Sequence, residues 1–404
     1  MSNSLLKRSS RAYFIYYIAS QAVFDRGIFI LFLVSKGFGN EQIGLLQSIL
    51  FISSFLFEIP TGLLSDKYGR KKSVIIGLLV YIGYCFSVIS FTGMTAFILF
   101  YTAYGLAMSL VSGSDRSLIY EIYKRHDREA SFIKMESLCR TIGSIVLGVA
   151  IIVGGVLQSV SWDMVYLAYA AALVISLTAI AFIPEKNTTN HEHDEDLSIV
   201  RDATTYFIVG NGRALLPILL FMACIYFVYT PYLVFSQSAF KSQGLSVEII
   251  SMIFAIVEFV SAVGYFTSDK LPEKHRYRIA FFVCPLLLSV IFLLSDIGGI
   301  YLSVASFFLL AYVVAIIEPI YITYLNSKFA SHIRSFANSF SSFVQTTFIS
   351  VGFYLYSQLS NTVGFGMVAQ LSSLFPLLSV ALIYYYFRSQ SGGLKQEEVA
   401  RSEG

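Results

Sequence analysis

Apolar residues are concentrated in twelve long segments of this chain, and short polar stretches separate them. Each segment contains about 20 mostly apolar residues, which is the length that an α-helix needs to cross a lipid bilayer. The pattern therefore predicts an all-α integral membrane protein with twelve transmembrane helices. Their predicted limits are 12–35, 41–64, 73–92, 96–119, 133–158, 163–183, 213–236, 246–267, 278–296, 299–325, 336–358 and 363–387.

The first apolar segment is too long for the apolar part of a cleavable signal peptide. It also carries Asp25 and Arg26 near its middle. We therefore expect this segment to be retained as the first transmembrane helix.

Basic residues lie mainly at one end of the predicted spans. Short cytoplasmic loops of membrane proteins collect lysine and arginine, and the loops at the opposite end hold only Lys36 and Lys241. This asymmetry predicts a multi-pass protein of the inner (plasma) membrane whose two termini are cytoplasmic. The basic residues of the N-terminus and of the short cytoplasmic loops are Lys7, Arg8, Arg11, Lys67, Arg70, Lys71, Lys72, Lys124, Arg125, Arg128, Lys134, Lys270, Lys274, Arg276, Arg278, Lys328 and Arg334.

A long polar stretch interrupts the apolar pattern near the middle of the chain. It contains His191 and His193 among acidic residues, which raises the possibility of a metal site. Two histidines in a flexible run have no fixed coordination geometry, so we favour a solvated acidic linker. The predicted organisation is a six-helix bundle over 1–184, a cytoplasmic linker over 185–211, a second six-helix bundle over 212–388 and a cytoplasmic tail over 389–404.

Six spans before the linker and six after it suggest a duplicated architecture. A short sequence echo points the same way. Ser65-Asp66-Lys67 after span two recurs as Ser268-Asp269-Lys270 after span eight, at residue numbers that differ by 203.

The composition excludes most soluble enzymes. Charged residues make up 13% of the chain, about half the usual share in soluble domains, and 56% of the residues are hydrophobic. The sequence has no nucleotide-binding loop, no HExxH helix and no nucleophile elbow, so we expect neither an enzyme nor an ATP-driven pump. The four cysteines lie singly in apolar runs, where they are expected to pack as small hydrophobic residues. They are Cys85, Cys139, Cys224 and Cys284.

The loop after span two, residues 62–72, reads Gly-Leu-Leu-Ser-Asp-Lys-Tyr-Gly-Arg-Lys-Lys. Its glycines permit a tight turn and a close approach of helices, and Asp66 is suited to accept hydrogen bonds from a helix N-terminus. The loop resembles the signature loop of the major facilitator superfamily, G-x-L-a-D-r-x-G-r-k, in the position between spans two and three that the family gives it. The resemblance implies the 6+6 arrangement of twelve helices and transport by alternating access.

The same resemblance implies that this loop is a conformational latch. Asp66 would meet the start of span eleven near Arg334 to Ala337, and Arg70 would pair with Glu121 near the end of span four. Lys71 and Lys72 are explained as well by anchoring at the anionic membrane surface. The latch residues are then Gly62, Asp66, Gly69, Arg70 and Glu121.

Nine charged residues lie in the interior of the predicted spans, outside the three residues at either end, and seven of them belong to the first six spans. A charge at mid-membrane costs about 2.5–3.5 kcal/mol on insertion scales, so such residues usually face a cavity or a partner. We therefore expect ion coupling in the first half of the chain. The candidates for coupling or for lining a cavity are Asp25, Arg26, Glu58, Asp115, Arg116, Glu136, Arg140, Glu258 and Glu318.

Several of these charges also have structural explanations. Glu136 and Arg140 have the favourable i, i+4 spacing of a helical ion pair, and Asp115 with Arg116 lies at a similar depth. Glu58 precedes Pro60 and is suited to assist the latch.

Glu318 precedes Pro319, which fits either a bending gate or a fixed kink. Asp25 is the sharpest candidate for proton or substrate coupling, with Arg26 as its companion. A fixed ion pair with a neighbouring helix is the alternative for Asp25.

Span five carries Gly143, Gly148, Gly154 and Gly155 but lacks the proline that accompanies such glycines in drug antiporters of the family. Small residues at this spacing let helices approach closely, so packing alone explains them. Span four likewise lacks the early arginine of proton-driven members.

The sequence predicts a secondary transporter that exports a toxic small molecule, such as an antibiotic, a self-made antimicrobial or a metabolite, by proton antiport. The alternative is a proton-coupled importer of a nutrient or metabolite. A receptor-like protein that does not transport is disfavoured, because a static protein needs no latch. We expect the substrate, protons and the bilayer as partners, a functional monomer, and neither nucleic acid, cofactor nor metal.

Overall fold

The computed structural model describes residues 2–185, 211–329 and 334–402. The predicted linker, with His191 and His193, therefore lies outside the described residues except at its two ends. In the first half the helices are α1 (Ser2–Ser20), α2 (Phe29–Ser35), α3 (Asn40–Tyr68), α4 (Arg70–Ser90), α5 (Met94–Val111), α6 (Ser114–Lys124), α7 (Glu129–Val160) and α8 (Trp162–Ala181).

In the second half, a 3₁₀ turn over Asn211–Leu215 leads into the first long helix, and a π-helical turn over Ile279–Val283 joins α11 to α12. The helices are α9 (Leu216–Ser242), α10 (Val247–Lys270), α11 (Glu273–Arg278), α12 (Cys284–Leu294), α13 (Gly299–Lys328), α14 (Arg334–Val363), α15 (Phe365–Leu371) and α16 (Leu374–Ser402).

The described residues confirm an all-helical membrane protein. Nine helical stretches among them are long and apolar enough to cross a bilayer, and the bent pair Asn40–Glu58 and Pro60–Tyr68 supplies a tenth. The two other predicted spans are absent from this set for different reasons. Span one is broken, and span eleven, which corresponds to α14, is rich in serine and other polar residues. The total of twelve spans stays a prediction.

The chain divides into two compact units. One comprises Met1–Asn190 with Val234–Phe259, and the other comprises His191–Leu233 with Val260–Gly404. The end of α9 and the start of α10 therefore pack with the helices of the first half. The domain limits expected from the sequence remain a prediction.

Small residues and hydroxyl groups hold the helices of the first unit together. A Cβ on Gly105 of α5 would lie 2.7 Å from the backbone nitrogen of Ser54 in α3, so only glycine permits this approach. In the next turn of α5, the Ser109 hydroxyl donates to the Ser54 carbonyl. Such small-residue contacts and hydroxyl bonds are the usual means of helix association in lipid, where apolar burial gives no driving force. The four cysteines are buried and form no disulfide, as expected.

Span one is not the single helix that its apolar pattern predicts. The chain leaves the helical conformation between Ser20 and Phe29, so that α1 and α2 are separate helices. Within this break Asp25 is buried and Arg26 is exposed. The carbonyl of Phe24, freed by the break, lies so close to Gly154 of α7 that a Cβ there would overlap it.

The second unit contains the same arrangement at the corresponding place. Pro231 inside α9 has no N–H, so the carbonyl of Phe227 loses its helical donor. Gly352 of α14 lies against this carbonyl, and a Cβ would again overlap the oxygen. Phe24 and Phe227 differ in number by 203, as Ser65 and Ser268 do. The predicted duplication is thus supported by a shared contact, in which a freed carbonyl packs against a glycine.

We expect Gly154→Ala to destabilise the protein, because its methyl group must displace the Phe24 carbonyl or shift α7. Overpacking of this kind costs about 1–3 kcal/mol. The measurement is the midpoint of thermal unfolding of the purified protein in detergent, which should fall by several degrees. Gly148→Ala is the matched control on the same helix, because its Cβ would lie 3.5 Å from Phe259, an ordinary contact. Equal midpoints for the two variants would contradict this account.

Candidate functional site

The charged residues predicted within the spans form several separate groups in the structure. Four of them make one network between α6 and α7. Arg116 approaches Glu136 at 2.8 Å, and Arg140 reaches the same carboxylate at 3.1 Å. Asp115 accepts hydrogen bonds from the Tyr16 hydroxyl at 3.2 Å and from the backbone N–H of Arg116 at 2.6 Å. These four charges therefore have partners within the protein, which fits the structural alternative.

The predicted latch residues form a second network where α3 meets α4. The Arg70 guanidinium forms an ion pair with Glu121 and lies 3.6 Å from Asp66. Arg125 adds a second cation at 3.3 Å from Glu121. The ion pair that the family resemblance implies between Arg70 and Glu121 is thus present. The side chains of Arg334 to Ala337 lie outside the described residues, so the role of Asp66 as a latch stays a prediction.

Gly69 is required at the junction of α3 and α4. Its φ of +105° lies in the region that only glycine adopts readily. A Cβ there would also lie 2.7 Å from the carboxylate of Glu185, which accepts the backbone N–H of Lys71 at 3.1 Å. Gly62 differs, because a Cβ at this position would meet no described atom within 4 Å. The close helix approach expected at Gly62 is absent from this structure.

Glu58 and Glu318 are two of the carboxylates within the spans that form no ion pair among the described residues. Glu58 of α3 is exposed. Glu318 of α13 accepts a hydrogen bond from the Tyr265 hydroxyl at 2.8 Å, and Tyr226 donates to it as well. Glu318 is therefore bound by tyrosine hydroxyl groups and not by a cation.

Asp25 lies in the break of span one and is surrounded by tyrosines. Its side chain is 7% exposed, and the Tyr166 hydroxyl of α8 donates to its carboxylate. Tyr84 of α4 contacts both Tyr166 and Tyr104 of α5, with ring centroids 6.4 Å and 4.7 Å apart. Among the described residues no lysine or arginine forms an ion pair with Asp25. The fixed ion pair that was the alternative for this residue is not seen.

A glutamine from span seven bridges the break in span one. Gln237 of α9 is fully buried. Its side-chain oxygen accepts the backbone N–H of Ile30 at 2.9 Å, and its side-chain nitrogen lies 3.5 Å from the carbonyl of Arg26. Ile30 lies in the first turn of α2, where backbone N–H groups have no intrahelical acceptor. Gln237 therefore replaces hydrogen bonds that the interrupted helix does not make.

The sequence reasoning did not identify Gln237, because it weighed only charged residues within the spans. Gln237 lies one residue beyond the predicted limit of span seven, in the part of α9 that extends past it. The available signal was an amide side chain directly after an apolar segment, where a polar group buried in the membrane must find a partner in the protein. Metal binding has no support in the described part of the chain, where no group of three or more His, Cys, Asp or Glu side chains is arranged to hold an ion.

Comparisons with known proteins give consistent results. The family model described as Major Facilitator Superfamily matches residues 12–353. The chain is 26% identical over 384 residues to YxaM of Bacillus subtilis (strain 168), an uncharacterized MFS-type transporter, with 88% of each chain covered. It is 28% identical over 175 residues to the quinolone resistance protein NorA of Staphylococcus aureus, covering 40% of this chain and 41% of NorA.

Among solved structures, the nucleoside transporter NupG matches with a TM-score of 0.73 at 12% identity, over 95% of this chain and 99% of NupG. At this identity the similarity shows the fold alone.

We expect Gln237→Leu to destabilise span one, because leucine fills a similar volume but leaves the Ile30 N–H without an acceptor. A buried polar group without a partner costs about 1–3 kcal/mol. Hydrogen–deuterium exchange of the amides of 28–31 should become faster in the variant, and its thermal midpoint should fall. Gln243→Leu, at the exposed position just beyond α9, is the control. Unchanged exchange in Gln237→Leu would refute the bridging role.

Proposed function

Because the chain belongs to the major facilitator superfamily, we propose that it exports a toxic small molecule, such as an antibiotic, a self-made antimicrobial or a metabolite, in exchange for protons. The family and its relatives make the chain a membrane transporter and not an enzyme. What we propose beyond this is the direction of transport, the substrate class and the coupling ion.

The observation that carries the export direction is the similarity to a quinolone resistance protein. Resistance is the expected result when a toxic compound is removed from the cell. The second candidate, a proton-coupled importer of a nutrient or metabolite, is favoured by the fold shared with a nucleoside transporter. Since fold alone does not set direction, the match to the resistance protein favours export.

Asp25 is our candidate for proton coupling. It is a buried carboxylate near the middle of span one, and a tyrosine hydroxyl is its side-chain partner among the described residues. A carboxylate in such a site is costly when charged, and binding a proton removes that cost. Seven of the nine charges in the interior of the spans belong to the first half of the chain, which supports coupling there.

The network of Asp66, Arg70, Glu121 and Arg125 is our candidate for the conformational latch. The predicted topology puts it at the cytoplasmic side, where lysine and arginine accumulate. The ion pair of Arg70 with Glu121 connects α4 with α6, and Arg125 at the end of α6 binds the same carboxylate. An additional contact from Asp66 to span eleven would then stabilise the state that is closed on the cytoplasmic side.

The proposed direction can be tested in a bacterial strain that lacks its own exporters. We expect cells with the gene to survive higher concentrations of at least one class of toxic compound, with quinolones as the first class tried. In everted membrane vesicles acidified by respiration, addition of that compound should release protons, as a pH-sensitive dye reports. Greater sensitivity and greater accumulation in cells with the gene would instead establish import.

We expect Asp25→Asn to abolish the substrate-induced movement of protons in these vesicles while the protein still inserts normally. The asparagine is nearly isosteric, but it cannot take up and release a proton. Asp163→Asn, at the exposed first turn of α8, is the matched control and should leave proton movement unchanged. If Asp25→Asn retains both transport and proton movement, Asp25 is structural, and Glu258 and Glu318 become the next candidates.

A further inference from the structure

Two opposite charges of the first unit lie near each other without forming an ion pair. Arg26 follows the buried Asp25 in the break of span one, and its side chain is exposed. Glu258 of α10 is partly exposed, and Arg26 is the charged group that acts on it electrostatically. No ion pair joins the two, and neither has another ion-pair partner in the described parts of the chain.

Backbone packing explains why these two side chains are neighbours. Gly27, the residue after Arg26, lies against α10, where a Cβ would be 3.0 Å from the Cβ of Phe254. Glu258 is four residues beyond Phe254 and thus one helical turn away on the same face. Gln237 also holds the carbonyl of Arg26. The positions of both charged residues are therefore fixed by packing and not by attraction between them.

An exposed guanidinium in the middle of a span must face water, because contact with lipid would be far more costly. Other charges within the spans of this unit, such as Arg116 and Glu136, bind each other directly. Arg26 and Glu258 form no such direct bond, so Arg26 can bind an anionic group and Glu258 a cationic group of the same ligand.

An aromatic surface adjoins these charges. Arg26 lies close enough to Tyr104 of α5 to act on it electrostatically. Tyr104 and Tyr81 of α4 are both partly exposed, and their ring centroids are 4.9 Å apart. Such rings can pack against the apolar or aromatic body of a small ligand.

We propose that the substrate is an amphipathic zwitterion, whose anionic group binds Arg26, whose cationic group binds Glu258 and whose apolar body packs against Tyr104 and Tyr81. The proposal rests on the proposed function, since it names the substrate class of that transporter. The competing arrangement is a direct bond between Arg26 and Glu258 in another conformation, with no contact of either residue to substrate.

The test measures binding of three related compounds to the purified full chain in detergent. Tryptophan carries both charges, tryptamine lacks the carboxylate, and indole-3-propionate lacks the amine. We expect tryptophan to bind about tenfold more tightly than either of the others, because each of these two compounds makes only one of the two ionic interactions. A tenfold ratio of affinities corresponds to about 1.4 kcal/mol of binding free energy.

Two substitutions assign each charge of the ligand to one residue. Arg26→Gln should remove the advantage of tryptophan over tryptamine and keep its advantage over indole-3-propionate. Glu258→Gln should have the opposite effect. Lys241→Gln, at an exposed position, and Glu248→Gln, at a partly exposed one, lie outside this site. They remove the same charges and should leave all three affinities unchanged.

Equal affinities for the three compounds, or no binding of any of them, would overturn the proposal. It would also be overturned if both substitutions weakened all three compounds alike, which is the result expected from a direct bond between the two residues. Binding in detergent does not depend on the direction of transport or on a proton gradient, so the expected order of the three affinities can be observed even if export fails in vesicles. If export is observed but the expected order of affinities is not, the substrate proposal fails and the proposed function stands.

Discussion

The interruption of span one in the middle of the membrane is the constraint on which the rest of the first unit depends. In lipid every backbone N–H and carbonyl must find a partner inside the protein, and a broken helix lacks several of these bonds. The turn itself restores one, from the Ile28 N–H to the Asp25 carbonyl at 2.9 Å. The side-chain oxygen of Gln237 supplies an acceptor for the backbone N–H of Ile30. Gly154 allows α7 to cover the Phe24 carbonyl. Two distant parts of the chain, together with the turn itself, thus make one break tolerable.

The break separates two neighbouring charges and gives them different surroundings. Asp25 is buried among tyrosines of α4, α5 and α8, whereas Arg26 is exposed and approaches Glu258 of α10. Within the break the two adjacent side chains therefore have opposite environments. The same interruption therefore provides a site suited to a proton beside a site suited to a charged ligand. Any movement of this segment acts on both, which is the physical basis for linking their occupancies.

The second unit contains a similar contact between a freed carbonyl and a glycine, but without a break in the helix. Pro231 frees the Phe227 carbonyl without interrupting α9, and Gly352 receives it as Gly154 receives the Phe24 carbonyl. Span seven therefore stays helical where span one does not. The difference is consistent with the charges, because Asp25 and Arg26 have uncharged counterparts in Val228 and Tyr229. The contact between a freed carbonyl and a glycine is thus present in both halves. The helix is interrupted only in the half that has seven of the nine charges in the interior of the spans.

The sequence by itself determined the features that depend on residues close together in the chain. Apolar runs of about 20 residues establish membrane helices, and the loop of Asp66 and Arg70 identifies the family. Lysine and arginine in short loops predict the orientation by the same kind of local signal. Only the tertiary structure decided that span one is two helices and that Gln237 bridges them. It also decided that Glu136 lies between Arg116 and Arg140. The same holds for the proximity of Arg26 and Glu258, which form no ion pair. Each of these depends on helices packing together. Gln237 is 211 residues from Arg26, and no local pattern encodes which partner will satisfy a backbone group in lipid.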